Sequence, residues 1–267
     1  MASDPAEVSV RLLRDYASEP GRSVLVRVET PTRMWEGGIA ADEGRPAASL
    51  LKLPLAMAVE DAIASGAIDT GAVVPVGALV DAWAGAGPLR VLRPDLSLAV
   101  ADVLGLCLAL SDRACATWLL AAVGFDAVRA VVAGLRCDAT TFEAAPDDPG
   151  GPLVGRTTAR DALRLVEASA DEARYPLTAS ALRNNVRDSR IPLGADGLDV
   201  QLAHKTGSLP GVAHDVAVLD CAGGTLSIAF LTEGQHDTLV SGYAMGICTR
   251  GLLEAWGLAV RRGRSLA

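Results

Sequence analysis

Strand-like alternation appears at both ends of this chain and hardly at all between them. SVLVRVET (23–30) alternates apolar and polar residues with a period of two; a turn at Thr30-Pro31-Thr32 and a second strand over about 33–39 complete an early hairpin. Near the other end VQLAHKT, HDVAVLD and TLSIAFL, from about residue 199 on, read as three more strands, followed by a last helix over about 237–260. Asp4 and Pro5 form an N-cap and N1 pair for a helix that runs to about Ser18.

Between the two strand sets the pattern is helical. Ser49 opens a long apolar helix to about Ser65, and Pro54 in its early part predicts a tight or bent start. Residues 66–97 are mostly connection, and helices follow at about 98–109, 112–122, 125–134, 158–170 and 177–186. Residues 136–156 are polar and rich in Pro and Gly, an omega-like loop long enough to be functional. The order α, β-β, several α, β-β-β, α is satisfied most simply by one antiparallel sheet built from both chain ends beside an all-helical part, an α+β fold. The expected boundaries are residues 1–45 with 190–267 for the sheet part and 46–189 for the helical part.

With 267 residues, half of them hydrophobic, the chain can bury a sizeable core. A net charge of −8 argues against nonspecific nucleic-acid binding, and Arg261, Arg262 and Arg264 read as a solvated tail. The apolar runs near 98–110 and 114–123 are broken by Asp102 and by Ser111-Asp112-Arg113, so they read as buried helices and no membrane contact is expected. The acidic start MASDPAEVSV lacks the features of a secretory signal, which leads to the expectation of a cytoplasmic protein, with a removed leader as the alternative. Five Cys without CxxC spacing read as buried reduced thiols; three His without metal-ligand spacing leave no metal or cofactor expected.

The placement of lysine narrows the chemistry. Of 24 basic residues only Lys52 and Lys205 are lysines. Arg stays protonated in proteins, whereas a buried Lys can lose its proton and act as a base. Lys52 belongs to Ser49-Leu50-Leu51-Lys52, where a three-residue helical spacing puts hydroxyl and amine on one face. A serine at a helix start beside an amine that can be neutral is an activated nucleophile. Ser111-Asp112-Arg113 interrupts an apolar run at the junction of two helices, and Lys205-Thr206-Gly207-Ser208 closes a strand with a charge, a hydroxyl and a glycine.

The ordered trio S-x-x-K, S-D-x and K-T-G resembles the penicillin-recognising serine hydrolases, specifically class A β-lactamases and their relatives. The resemblance covers nearly the whole chain, including RTTARDAL (156–163) and HKTGSLPGVAHDVAVL (204–219). It implies a five-stranded antiparallel sheet flanked by helices beside an all-helical part. It also implies Ser49 as the acylated nucleophile, Lys52 as its base and Ser111 as the proton relay to the leaving group. Lys205 and Thr206 would hold a substrate carboxylate, and the backbone N–H groups of Ser49 and Ser208 would form the oxyanion hole.

Two departures stand out. The family's S-D-N is S-D-R here, so Arg113 either swings out or fills part of the site and recruits an anionic group. The family's E-x-x-L-N is missing from the long loop; Glu143 is the nearest candidate for a deacylating base, and Asp147 falls where the Asn would be. His204 and His214 read as structural, with His214 and Asp215 near the site entrance, and Glu60 and Asp61 as solvated. The leading expectation is a serine acyl-hydrolase acting on an amide or ester of a small, carboxylate-bearing or peptide-like molecule. The alternatives are an acyltransferase or transpeptidase-like enzyme, and a binding module that does not turn over.

Overall fold

The computed structural model describes residues 4–81, 87–145 and 153–261. Helix α1 (Pro5–Tyr16) is capped by the Asp4 side chain, which accepts from the Ala6 N–H. Strands β1 (Arg22–Glu29) and β2 (Met34–Ile39) form the early hairpin, and β8 (Val200–Leu209), β9 (Val212–Cys221) and β10 (Gly224–Thr232) the late meander. They join in one antiparallel sheet of order β2-β1-β10-β9-β8, so the two chain ends meet where β1 pairs with β10.

The sheet has a core on each face. On one side α1, α8 (Ile191–Ala195) and α9 (Thr238–Ala255) cover Val24, Val26, Ala217, Ile228 and Phe230. On the other, the alternate residues Leu25, Val216, Val218, Ala229 and Leu231 run into the core of the helical part. That part is built from α2 (Lys52–Ala64), α3 (Val76–Asp81), α4 (Val100–Ala109), α5 (Arg113–Gly134), α6 (Ala159–Ser169) and α7 (Pro176–Arg183). The α2 segment Lys52–Glu60 is buried throughout, as expected of a helix surrounded by others.

Several expectations need correction. Residues 66–97 contain short paired strands, β4 (Val73–Pro75) with β5 (Ser97–Ala99), as well as α3 and a turn of 3-10 helix at Pro88–Val91. The helices expected at 112–122 and 125–134, by contrast, are both present as the two halves of α5, separated at Gly124, where φ 78 and ψ 165 leave the helical region. α5 is long and apolar enough by composition to cross a membrane, yet its face at Ala114, Cys115, Leu119 and Val128 is packed in the core.

The 136–156 segment is not simply loop. β6 (Thr141–Ala144) pairs with β7 (Leu153–Thr157), and β7 pairs with β3 (Arg45–Pro46). Phe142 of β6 stacks on Phe125 at 6.1 Å, which fixes the small sheet to α5. Asp147, Arg262 and Arg264 lie outside the described residues.

Glu60, read from sequence as solvated, is buried. Its carboxylate accepts from the N–H groups of Leu177 at 3.1 Å and Thr178 at 2.6 Å. Those are unpaired donors in the first turn of α7, which begins at Pro176 and has no side-chain cap of its own. Asp61, its neighbour, is exposed.

Candidate active site

β3 delivers the chain to the site. The Ala47 N–H bonds the Gly155 carbonyl of β7 at 2.8 Å, and Ala48 then takes a positive φ of 49°. For a residue with a Cβ that conformation is uncommon and costs of order 1 kcal/mol. A turn of 3-10 helix, Ala48–Leu51, carries Ser49 before α2 begins at Lys52. The tight start expected from Pro54 is this turn: Pro54 falls at the third residue of α2, where its missing N–H breaks little.

Lys52 Nζ donates to Ser49 Oγ at 3.0 Å. Lys52 is 4% exposed, and burial pushes its pKa below that of an ordinary lysine; the nearby Arg113 pushes the same way, while Asp112 opposes.

Ser111 sits between α4 and α5 with φ 57°, a second residue in the left-handed region. Asp112 caps α5, its Oδ1 accepting from the Cys115 N–H at 2.9 Å, so the turn that presents Ser111 is held by the following residue. Lys205 Nζ donates to Ser111 Oγ at 3.1 Å and to the Thr206 carbonyl at 2.9 Å. Lys205 is fully buried on β8, and its pKa is lowered to about 7, first by burial and then by the charge of Lys52. Two buried amines that repel each other favour a state in which one is neutral.

Ser49, Ser111, Arg113, Thr206 and Ser208 line one cavity of about 280 Å³. Leu110 and Asp112, the Gly87-Pro88 turn and Arg187 complete the described lining. Glu143 is not brought there. It is exposed on β6, paired with Val154, and lines a different cavity with Pro46, Phe142 and Arg156.

The β8–β9 pair is fastened at the mouth of the site. Arg190 donates to Ser208 Oγ at 2.6 Å, to the Gly207 carbonyl at 3.0 Å and to the His214 carbonyl. His214 Nδ1 accepts from the Thr232 N–H at 3.0 Å, so its Nε2 carries the proton donated to the Pro46 carbonyl at 2.6 Å. Burial lowers the His214 pKa to about 4. His214 thus ties β3, just before the turn that carries Ser49, to the main sheet. His204 faces away from Lys205 and bonds Asp215 at 3.0 Å.

Arg187 and Arg190 were missed by sequence reasoning. They lie in the irregular stretch after α7, and nothing in RNNVRDSR distinguishes a cavity arginine from a solvated one.

Comparisons with known proteins agree with this geometry. A profile described as the beta-lactamase enzyme family matches residues 9–253. Among solved structures, a beta-lactamase from Sphaerobacter thermophilus DSM 20745 shares 25% identity with a TM-score of 0.79, the match covering 94% of this chain and 98% of that one. A mutant of PBP-A in an acyl-enzyme complex with penicillin G has 18% identity, a TM-score of 0.79 and coverage of 94% and 96%. The class A beta-lactamase of the last common ancestor of Gram-negative bacteria has 23% identity, a TM-score of 0.75 and coverage of 94% and 100%. A search of curated proteins gives no match. At 18% and 23% identity the last two likenesses speak for the fold alone. The profile spans most of the sequence, and on that ground the chain belongs to the beta-lactamase enzyme family.

Proposed function

We propose that this protein is a serine acyl-hydrolase that forms an acyl-enzyme at Ser49 with an amide or ester, β-lactams included. The observation that carries the reading is the 3.0 Å contact between Ser49 Oγ and a buried Lys52 whose pKa is depressed. Neutral Lys52 takes the Ser49 proton as Oγ attacks the carbonyl carbon. The backbone N–H groups of Ser49 and Ser208 receive the developing oxyanion; one such donor is typically worth about 3 kcal/mol of barrier. As the carbon–nitrogen or carbon–oxygen bond breaks, Ser111 gives a proton to the leaving atom and is resupplied by the Lys205 ammonium that donates to it. A substrate carboxylate rests against Thr206 and Ser208.

A second reading concerns the fate of the acyl group. Asp112 is the one acidic residue among the described lining residues, and Glu143 lies in another cavity. The acyl-enzyme therefore decays slowly in water and is better placed to pass its acyl group to an amine, as an acyltransferase does.

Intact-protein mass after mixing with benzylpenicillin, and separately with activated esters, tests both readings. A probe-sized adduct on wild type, missing from Ser49→Ala, is expected; its decay, with and without added amine, separates hydrolysis from transfer. Wild type that gains no adduct from any probe and consumes no ester would overturn the acyl-enzyme reading and leave a binding module.

A further inference from the structure

The segment that follows α7 touches both sides of the contact between Lys205 and Ser111. α7 itself packs on α4 and on β8. Just past its end, Asn185 Nδ2 donates to the His204 carbonyl at 3.1 Å, and the next N–H, that of Val186, donates to the Ala109 carbonyl at 3.3 Å. His204 immediately precedes Lys205 on β8, and Ala109 is the last residue of α4, two before Ser111. Two consecutive residues thus hold the backbone from which each partner starts.

Both carbonyls need a donor from outside their own element. β8 is an edge of the sheet, where an outward carbonyl finds no strand. The Ala109 carbonyl belongs to the last turn of α4, where intrahelical donors run out. Asn185 is half-buried between exposed neighbours, and its amide has one orientation: Oδ1 accepts from the Arg187 N–H at 2.9 Å, which leaves Nδ2 for His204. The other end of α7 is fastened too. Glu60, which takes no part in the chemistry, binds the first-turn N–H groups of α7 from α2, the helix that begins at Lys52. α7, with its eight residues, spans about 12 Å between these two fastenings.

We infer that Asn185 is a positioning residue for the proton relay: by holding the His204 carbonyl while Val186 holds that of Ala109, it sets the reach of Lys205 Nζ to Ser111 Oγ, and Glu60 anchors the far end of the helix that carries it. The relay rests on the acyl-enzyme reading, whereas the reach is a property of the folded chain and can be tested alone. Without the amide, the edge of β8 moves off the α4–α5 junction, the 3.1 Å contact lengthens, and Ser111 loses the ammonium that resupplies its proton. The contact between Ser49 and Lys52 is unaffected, because it lies within one turn of chain.

Acylation by benzylpenicillin is followed by mass in wild type, Asn185→Ala, Ser111→Ala and the double variant, beside urea midpoints and spectra of protein labelled with 13C at its two lysines. Asn185→Ala is expected to slow acylation about tenfold or more, since a misplacement of about 1 Å can cost about a hundredfold. In the Ser111→Ala background the same substitution should cost almost nothing, because the relay it serves is already gone. The Lys205 signal should move in Asn185→Ala, and by more than that of Lys52. Glu60→Gln, which keeps one acceptor oxygen where the carboxylate has two, should move the Lys205 signal by less than Asn185→Ala does. Rate losses that multiply in the double variant, or a Lys205 signal that stays in place while the urea midpoint falls, would overturn the inference and leave Asn185 a packing residue. If benzylpenicillin fails to acylate even wild type, the acyl-enzyme reading fails for this probe and the Lys205 signal alone decides: displaced in Asn185→Ala, the positioning stands; unmoved, it falls.

Discussion

Lys205 Nζ reaches Ser111 Oγ at 3.1 Å across 94 residues of chain, joining the β8 edge of the sheet to the α4–α5 junction of the helical part. The amine is fully buried, and part of what lowers its pKa to about 7 is the second amine, Lys52. The two lysines are therefore coupled through their charges, and each donates to a serine that lines the cavity, Lys52 to Ser49 and Lys205 to Ser111.

The pair can be titrated directly, because these are the chain's only lysines and selective 13C labelling of lysine yields two side-chain signals. The Lys205 signal should titrate near pH 7, well below the ordinary lysine range. In Lys52→Met it should titrate at higher pH, since one charge that disfavours its ammonium is gone. Both signals titrating near 10 would show that water reaches the amines and that neither is poised as a base.

Stability should rise with pH from two sides. His214 resists protonation until about pH 4 in the folded chain, against 6.5 for a free imidazole. Between those values the unfolded chain binds the extra proton, so acidification through that window favours unfolding, by about 1.4 kcal/mol per unit at most. Lys205 has the same sign at higher pH: from about 7 to 10.5 the unfolded amine is protonated and the folded one is not, so stability climbs with pH there. Urea midpoints measured from pH 4 to 10 test both windows. His214→Asn should lose the acid-side slope, and a slope retained by that variant would assign it to other groups.

Much of this architecture was legible because it rests on local periodicity. The five strands and most helices follow from alternation and from 3.6-residue repeats, and the Ser49–Lys52 contact from a three-residue spacing that helices place on one face. What escaped depends on partners distant in sequence. Glu60 reads as one of two adjacent solvated acids until α7 brings its free N–H groups, 117 and 118 residues away, onto the carboxylate. The β6–β7 pair is short and polar, and only its pairing with β3 shows that it is a sheet. Arg187 and Arg190 gain their meaning from where an irregular segment passes.

Glu143→Gln tests the separation between the two cavities. The side chain is exposed on β6 and lines a cavity other than that of Ser49, so the substitution should leave both acylation and acyl-enzyme decay within about twofold of wild type, the usual range for a surface change. A decay slowed tenfold or more, about 1.4 kcal/mol, would make Glu143 the deacylating base and require β6 to move toward Ser49 during turnover.

Gly207→Ala probes how closely β8 must approach the turn that carries Ser49. Gly207 faces His214 across the β8–β9 pair, and a Cβ there would lie 3.1 Å from His214 Cδ2 and 3.2 Å from Ala48 Cβ. Neither neighbour has room to yield: His214 is fixed at both ring nitrogens, and Ala48 is already at φ 49°. The strand must then shift by a few tenths of an ångström, which moves the Ser208 N–H relative to Ser49. Overpacking of this kind costs about 1–3 kcal/mol of stability. A misplaced oxyanion donor costs about 3 kcal/mol of barrier. Acylation at Ser49 should therefore fall by about a hundredfold while the protein still folds and its urea midpoint drops moderately. Loss of stability with an unchanged acylation rate would show that the glycine serves packing alone and that the Ser208 N–H is not the donor assigned here.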